Sequence, residues 1–158
     1  MPKVEAKVVP SPQGPRLDEQ LMKAGKYEVT EEHTFKVEVN LVLKDKRWVL
    51  ANGPGRGVES QEAIFRMWTY DEMIELKKMA TSYDATKRIH MIDNDLLNRL
   101  KVQKLMVSWT FDKDNPRLRV QHVQGALTDE SWVAFTRLQP NIITHILEEM
   151  NKVYEYNG

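Results

Sequence analysis

There is no cysteine among the 158 residues of this chain. Disulfides, thiol nucleophiles and cysteine-ligated zinc are thereby excluded. Neither charge is in surplus, since 23 basic side chains face 23 acidic ones and the net charge is zero. Neutralising a phosphate backbone takes a basic excess, so direct nucleic-acid binding is not expected. No apolar run approaches the roughly 20 residues needed to cross a bilayer, so no membrane partner is expected either. The N-terminus, MPKVEAKVVPSPQGPRLDEQ, lacks the apolar stretch of a signal peptide. What is present, 41% apolar and 29% charged residues, is the composition of one folded domain with enough side chains for a core.

Residues 1–26 stand apart from the rest. Four of the seven prolines fall here (Pro2, Pro10, Pro12 and Pro15). Proline removes backbone donors and blocks helix interiors, so the segment reads as an extended arm with one helical turn at most, near Leu17–Lys23. Its few aliphatic side chains, among them Val8, Val9 and Leu17, cannot offset the entropy of ordering it alone. The arm is therefore expected to lie on a neighbouring subunit.

Residues 27–158 read as a single α+β domain, strand-rich over 27–68 and mainly helical over 69–158. In HTFKVEVNLVL, Phe35, Val37, Val39, Leu41 and Leu43 alternate with Lys36, Glu38 and Asn40, the period of a half-buried strand. Lys44-Asp45-Lys46 is a hairpin turn and Arg47–Ala51 its return strand. NGPGRG (Asn52–Gly57) is a loop, and Ala63–Trp68 fits a third strand better than a short helix. Thr69 and Glu72 form a capping-box pattern that starts a helix running to about Tyr83. A second helix begins at Ile92–Asp95, and Leu105–Phe111 either prolongs it or turns to strand. Leu118, Val120 and His122 suggest a short strand. Thr128 caps a helix over Asp129–Leu138, and Pro140 opens the last one, with Ile142, Ile143, Ile146, Leu147, Met150 and Val153 in an apolar stripe. The expected architecture is an N-terminal β-hairpin or small antiparallel sheet followed by a bundle of about four helices.

Chemistry-bearing patterns are scarce. His33, His90, His122 and His145 are scattered, with no pair at helical metal-binding spacing. Asp93-Asn94-Asp95 resembles the start of a calcium loop, but Leu97, Asn98 and Lys104 stand where that loop needs oxygen, glycine and glutamate. No serine sits in a nucleophile elbow. No enzymatic activity, cofactor or metal is expected. The loop NGPGRG matches no nucleotide-binding fingerprint; Arg56 with Gly55 and Gly57 could hold an anion, which gives an alternative reading as a small-ligand or anion-binding module. Tryptophan, by contrast, is abundant, with Trp48, Trp68, Trp109 and Trp132. Such rings are buried in a core or at an interface. Trp68, Trp109 and Trp132, with Val8, Val9 and Leu17 of the arm, are the candidate partner-binding residues.

The order of an FR-x-W-T step into a capped helix, DNDLLNRL, WTFD, LTDESW and a terminal helix after LQP resembles tail assembly chaperones and related small tail proteins of long-tailed bacteriophages. The resemblance covers roughly residues 63–153 and rests on Phe65, Arg66, Thr69, Trp109, Phe111, Asp112, Leu138 and Pro140, which are packing and capping positions. It implies a non-enzymatic tail assembly or virion structural protein acting through protein–protein contacts. The implied partners are other phage structural proteins, copies of itself or the tape-measure protein. The implied location is the virion or the host cytoplasm during assembly. The Pro-rich arm and the N-terminal strands depart from that family's usual pattern, and an ordered arm would fit a built-in subunit better than a transient chaperone.

Overall fold

The computed structural model describes residues 27–30 and 32–157. The chain divides into two units, Met1–His33 and Thr34–Gly158. In the first, the described residues make a turn in which the His33 N–H donates to the Thr30 carbonyl (3.0 Å) and the Thr30 N–H to His33 Nδ1 (3.3 Å). The predicted arm 1–26, with Val8, Val9 and Leu17, lies outside the described residues.

The second unit is α+β, an antiparallel sheet with about four helices. β1 (Thr34–Lys44), β2 (Arg47–Leu50), β3 (Val58–Arg66) and β6 (Met106–Trp109) form one sheet in the order β2-β1-β3-β6. The predicted alternation is realised: Val37, Val39 and Leu41 are buried, while Lys36 and Glu38 face out. Cross-strand register carries the same face through Ala63 and Phe65 on β3 to Trp109 and Met106 on β6. The opposite face is polar. Glu38 lies directly across from Glu62, an unfavourable pairing of like charges, and Lys36 relieves it by an ion pair to Glu62 (3.5 Å). Beside them Ser60 Oγ donates to Asn40 Oδ1 (2.6 Å).

The β1–β2 turn is where the sequence placed it. Asp45 and Lys46 both have positive φ (52° and 67°), the left-handed pair that a two-residue hairpin of matching twist requires. Gln124 and Gly125 repeat the device (φ 52° and 81°) between β7 (His122–Val123) and β8 (Ala126–Leu127).

Thr69 caps α1 (Tyr70–Met79) as the sequence predicts. Its Oγ1 accepts from the Glu72 N–H (3.2 Å), and Glu72 Oε1 accepts from the Thr69 N–H (3.0 Å). Glu72 is also gripped by both arms of the Arg66 guanidinium, at 2.9 and 2.6 Å. That bond holds its carboxyl below the ordinary carboxylate range. Replacing Thr69 with alanine is expected to cost about 1 kcal/mol, read as a lower urea midpoint at unchanged slope. An unchanged midpoint would mean that Glu72 and Arg66 hold this helix end without the threonine.

Several boundaries differ from expectation: the third strand, expected over Ala63–Trp68, runs Val58–Arg66, and the helix expected over Asp129–Leu138 ends at Thr136. The first helix stops at Met79 rather than near Tyr83, because Thr81–Asp84 is a strand, β4, paired with β5 (Ile89–Ile92). Thr81 Oγ1 donates to the Lys77 carbonyl (2.6 Å), satisfying one acceptor of the final helical turn. Leu118 belongs to a 3-10 turn, Pro116–Leu118, and the predicted strand there is reduced to β7. The remaining helices are α2 (Asn94–Leu105), α3 (Asp129–Thr136) and α4 (Pro140–Asn157). α2 runs directly into β6, settling the open choice over 105–111 in favour of strand. Along α4, Ile142, Ile146, Met150 and Tyr154 are buried in the core, and His145 Nε2 donates to the Glu38 carbonyl of β1 (2.9 Å). Among the described residues, no helix is long and apolar enough to cross a membrane.

Candidate functional site: exposed apolar surfaces

The predicted tryptophans do not share one surface. Trp68 is buried against Tyr154 (ring centroids 4.8 Å apart), with Lys101 Nζ 5.1 Å from its centroid. Trp109 is buried between Phe111 and Phe135, and its Nε1–H donates to the Leu118 carbonyl (2.9 Å). Burial of this kind leaves neither ring free for a partner: both belong to the core. Trp132 is half-buried, stacked on Phe135 (5.2 Å), and the Arg99 guanidinium lies over its ring, 5.5 Å from the centroid. Its ring is thus covered in part by its own chain.

The loop of the alternative reading is an open turn. The Val58 N–H donates to the Gly55 carbonyl (3.1 Å), with Gly57 at φ 77°, a conformation that favours glycine. A Cβ added at Gly53, Gly55 or Gly57 would meet nothing within 4 Å. These glycines make a turn and not a close-fitting cradle, and Arg56 points from it as an exposed side chain.

Two apolar surfaces that sequence reasoning missed are formed instead. The first is the β4–β5 ribbon. Its two strands pack chiefly on each other, and all four residues of β5 are exposed. Pairing of Thr81 with Ile92 and of Asp84 with Ile89 sets the faces. Strand alternation then places Tyr83 and Ile92 on one side and Ile89 and Met91 on the other. Ile89, Met91, Ile92 and Tyr83 are 47%, 45%, 48% and 56% exposed. A two-stranded ribbon has little stability of its own, and this one carries apolar side chains on both faces in water. Met79 and Ile74 of α1, also exposed, extend the apolar character to the helix that leads into it. The turn is drawn tight by Asp84 Oδ1, which accepts from the N–H groups of Thr86 and Lys87 (3.0 and 3.1 Å). The ribbon is therefore shaped at its tip and uncovered along its sides.

The second surface lies where the helical layer ends over the β1–β2 end of the sheet. A groove of about 370 Å³ is lined by Leu41, Trp48, Phe111, Leu118, Leu138 and Ile142, with Gln61, Thr110 and Arg137 among its polar groups. Thr110 Oγ1 donates to Gln61 Oε1 (2.5 Å) and accepts from the Glu62 N–H (2.9 Å), which fixes the polar wall. Trp48 pairs with Leu43 across the hairpin, and these two are 38% and 56% exposed. They continue the buried face of Leu41 beyond its helical cover.

Comparison of the chain with family models, with curated proteins and with solved structures gave no match.

Proposed function

We propose that this chain is a non-enzymatic protein-binding subunit, a tail assembly or virion structural protein of the kind its sequence resemblance implies, and that the β4–β5 ribbon is its main docking element. One observation carries the reading. The ribbon exposes Tyr83, Ile89, Met91 and Ile92 on both of its faces at once. Side chains of this type on a projecting ribbon cost solubility unless a partner covers them. Methionine and tyrosine suit the role, the first by adapting its shape and the second by offering an apolar ring with a polar tip. The rest of the fold supports this use, because the core beneath is complete without the ribbon.

The test is the mass of the chain as recovered from the cells that make it. The reading expects a complex whose other members are structural proteins or further copies of the chain. Recovery of a monomer at its natural concentration would sink it. The double variant Ile89→Ser/Met91→Ser should lose that complex while its melting temperature stays close to that of the wild type, since exposed positions usually shift stability by no more than about 0.5 kcal/mol. A complex that survives the double substitution would place docking elsewhere.

A further inference from the structure

β2 is an edge strand, and among the described residues nothing pairs with its outer side. The ladder determines which of its backbone groups are open. The Ala51 N–H donates to the Asn40 carbonyl (2.8 Å), and the hairpin pairs Val42 with Val49 and Lys44 with Arg47. In an antiparallel ladder, hydrogen-bonded and non-bonded pairs alternate. Arg47, Val49 and Ala51 therefore spend their backbone groups on β1, while Trp48 and Leu50 direct their N–H and carbonyl groups outward. The opposite edge of the sheet differs, because there His122 Nε2 donates to the Met106 carbonyl of β6 (2.8 Å). An edge with open donors and acceptors is a template for another strand.

The same strand borders the groove through Trp48. A strand added outside β2 would alternate its own side chains across the sheet, bringing every second one to the Trp48 side. There the apolar lining of Leu41, Phe111 and Ile142 would receive an apolar or aromatic anchor. Charge selects the flanks of such a segment. From Lys44 to Gly57, the exposed cations Lys44, Lys46, Arg47 and Arg56 face a single acid, Asp45, in a chain whose total charge is zero. The groove itself adds no bias, since Glu59 and Asp114 balance Lys113 and Arg137.

We infer that the β2 edge and the Trp48 groove form a strand-addition site for an extended segment of a partner protein, in which an apolar or aromatic anchor is flanked by acidic residues. The inference rests on the proposed protein-binding role but uses a different surface from the ribbon, so the two fail separately. Main-chain bonds to Trp48 and Leu50 would supply affinity, and the groove and the basic flanks would supply specificity.

The probe is a short synthetic peptide with one phenylalanine flanked by aspartates, added to the full chain, with a lysine-flanked peptide as its control. The site predicts that the acidic peptide binds, that binding weakens as salt rises, and that the Trp48 and Leu50 amides become protected from hydrogen exchange. Trp48→Ala should weaken binding by about tenfold or more. Leu50→Pro, which removes an outward N–H and no ladder bond, should abolish the remaining protection at Trp48. Circular dichroism verifies that each variant is folded, and Trp48→Ala alone suffices if Leu50→Pro is not. The inference is overturned if the acidic peptide fails to bind or if the lysine peptide binds equally well. It is also overturned if binding leaves both amides unprotected. Protection that grows with protein concentration in the absence of peptide would assign the edge to a second copy of the chain, against the inference.

Discussion

Phe65→Ala is expected to cost about 3–5 kcal/mol, enough to bring a domain of ordinary stability close to unfolding. Phe65 is fully buried on β3 directly opposite Phe35, and the two rings stack at 5.6 Å. Phe35 in turn meets the edge of Tyr154 at 5.2 Å, and Tyr154 donates its hydroxyl to the Arg66 carbonyl (2.7 Å). Sheet and last helix are thus joined through one aromatic chain with Phe65 at its base. Burial pushes the Tyr154 hydroxyl far above its usual titration range, so it stays a donor throughout the pH range in which the protein is handled. The position also sits beside the irregularity between Ile64 and Phe65 in the β3–β6 pairing, where Val107 has no partner. A cavity there would be bordered by a sheet on one side and a packed helix on the other, neither free to collapse into it. Urea melts of the purified variant measure the loss. A cost under about 1 kcal/mol would mean that Phe35 and Tyr154 close the space.

Lys101→Met is expected to act in the opposite direction and raise stability by about 1–2 kcal/mol at neutral pH. Lys101 is only 3% exposed, on the face of α2 turned to α4, and among the described residues no carboxylate is in ion-pair contact with it. Its Nζ donates to Asn151 Oδ1 (2.7 Å), whose amide donates onward to Asn98 Oδ1 (2.9 Å), and it lies over the rings of Trp68 and Tyr154. One neutral acceptor and two ring faces replace less than the full hydration of an ammonium ion. Burial accordingly lowers the lysine pKa, with the exposed Glu155 opposing the shift and Lys77 adding to it. A base whose folded pKa lies below its unfolded one makes the folded state less stable while it is charged. That penalty is complete below the lowered folded value and fades as pH rises through it toward the unfolded value of 10.5. The stability gap between Lys101→Met and wild type should therefore narrow as pH is raised into the alkaline range. A methionine variant less stable than wild type at neutral pH would show that the asparagine bond and the ring contacts outweigh desolvation.

The parts of this fold that were legible in the sequence share a physical trait: each is specified locally. The β1 alternation, the Asp45-Lys46 turn, the Thr69 and Thr128 caps and the stripe of the last helix all follow from residues within a few positions of one another. The ribbon was not legible because Tyr83 follows α1 with no glycine or proline to end the helical pattern, and Ile89–Ile92 lacks the alternation of a half-buried strand. It lacks alternation because both of its faces are exposed. β6 was ambiguous for a related reason, since α2 passes into it at Leu105–Met106 without a linker.

The candidate site was less legible than the fold. Four tryptophans in apolar settings are equivalent until strand register ranks them. Trp48 faces the same side as Leu41, but two residues past the point where helices cover the sheet, and only the pairing of Leu43 with Trp48 reveals that. Trp68 and Trp109 looked like partner-binding rings because nothing local marks them as core. Their burial comes from long-range contacts with Tyr154 on α4 and Phe135 on α3.

The central claim, that the β4–β5 ribbon is covered when the chain is at work, is tested most directly by hydrogen exchange over residues 81–92 in the free chain and in the complex recovered from the cells that make it. The account predicts fast exchange in the free chain, as suits a two-stranded ribbon packed chiefly on itself, and strong slowing in the complex. Equal exchange rates over these residues in the free and complexed chain would contradict it.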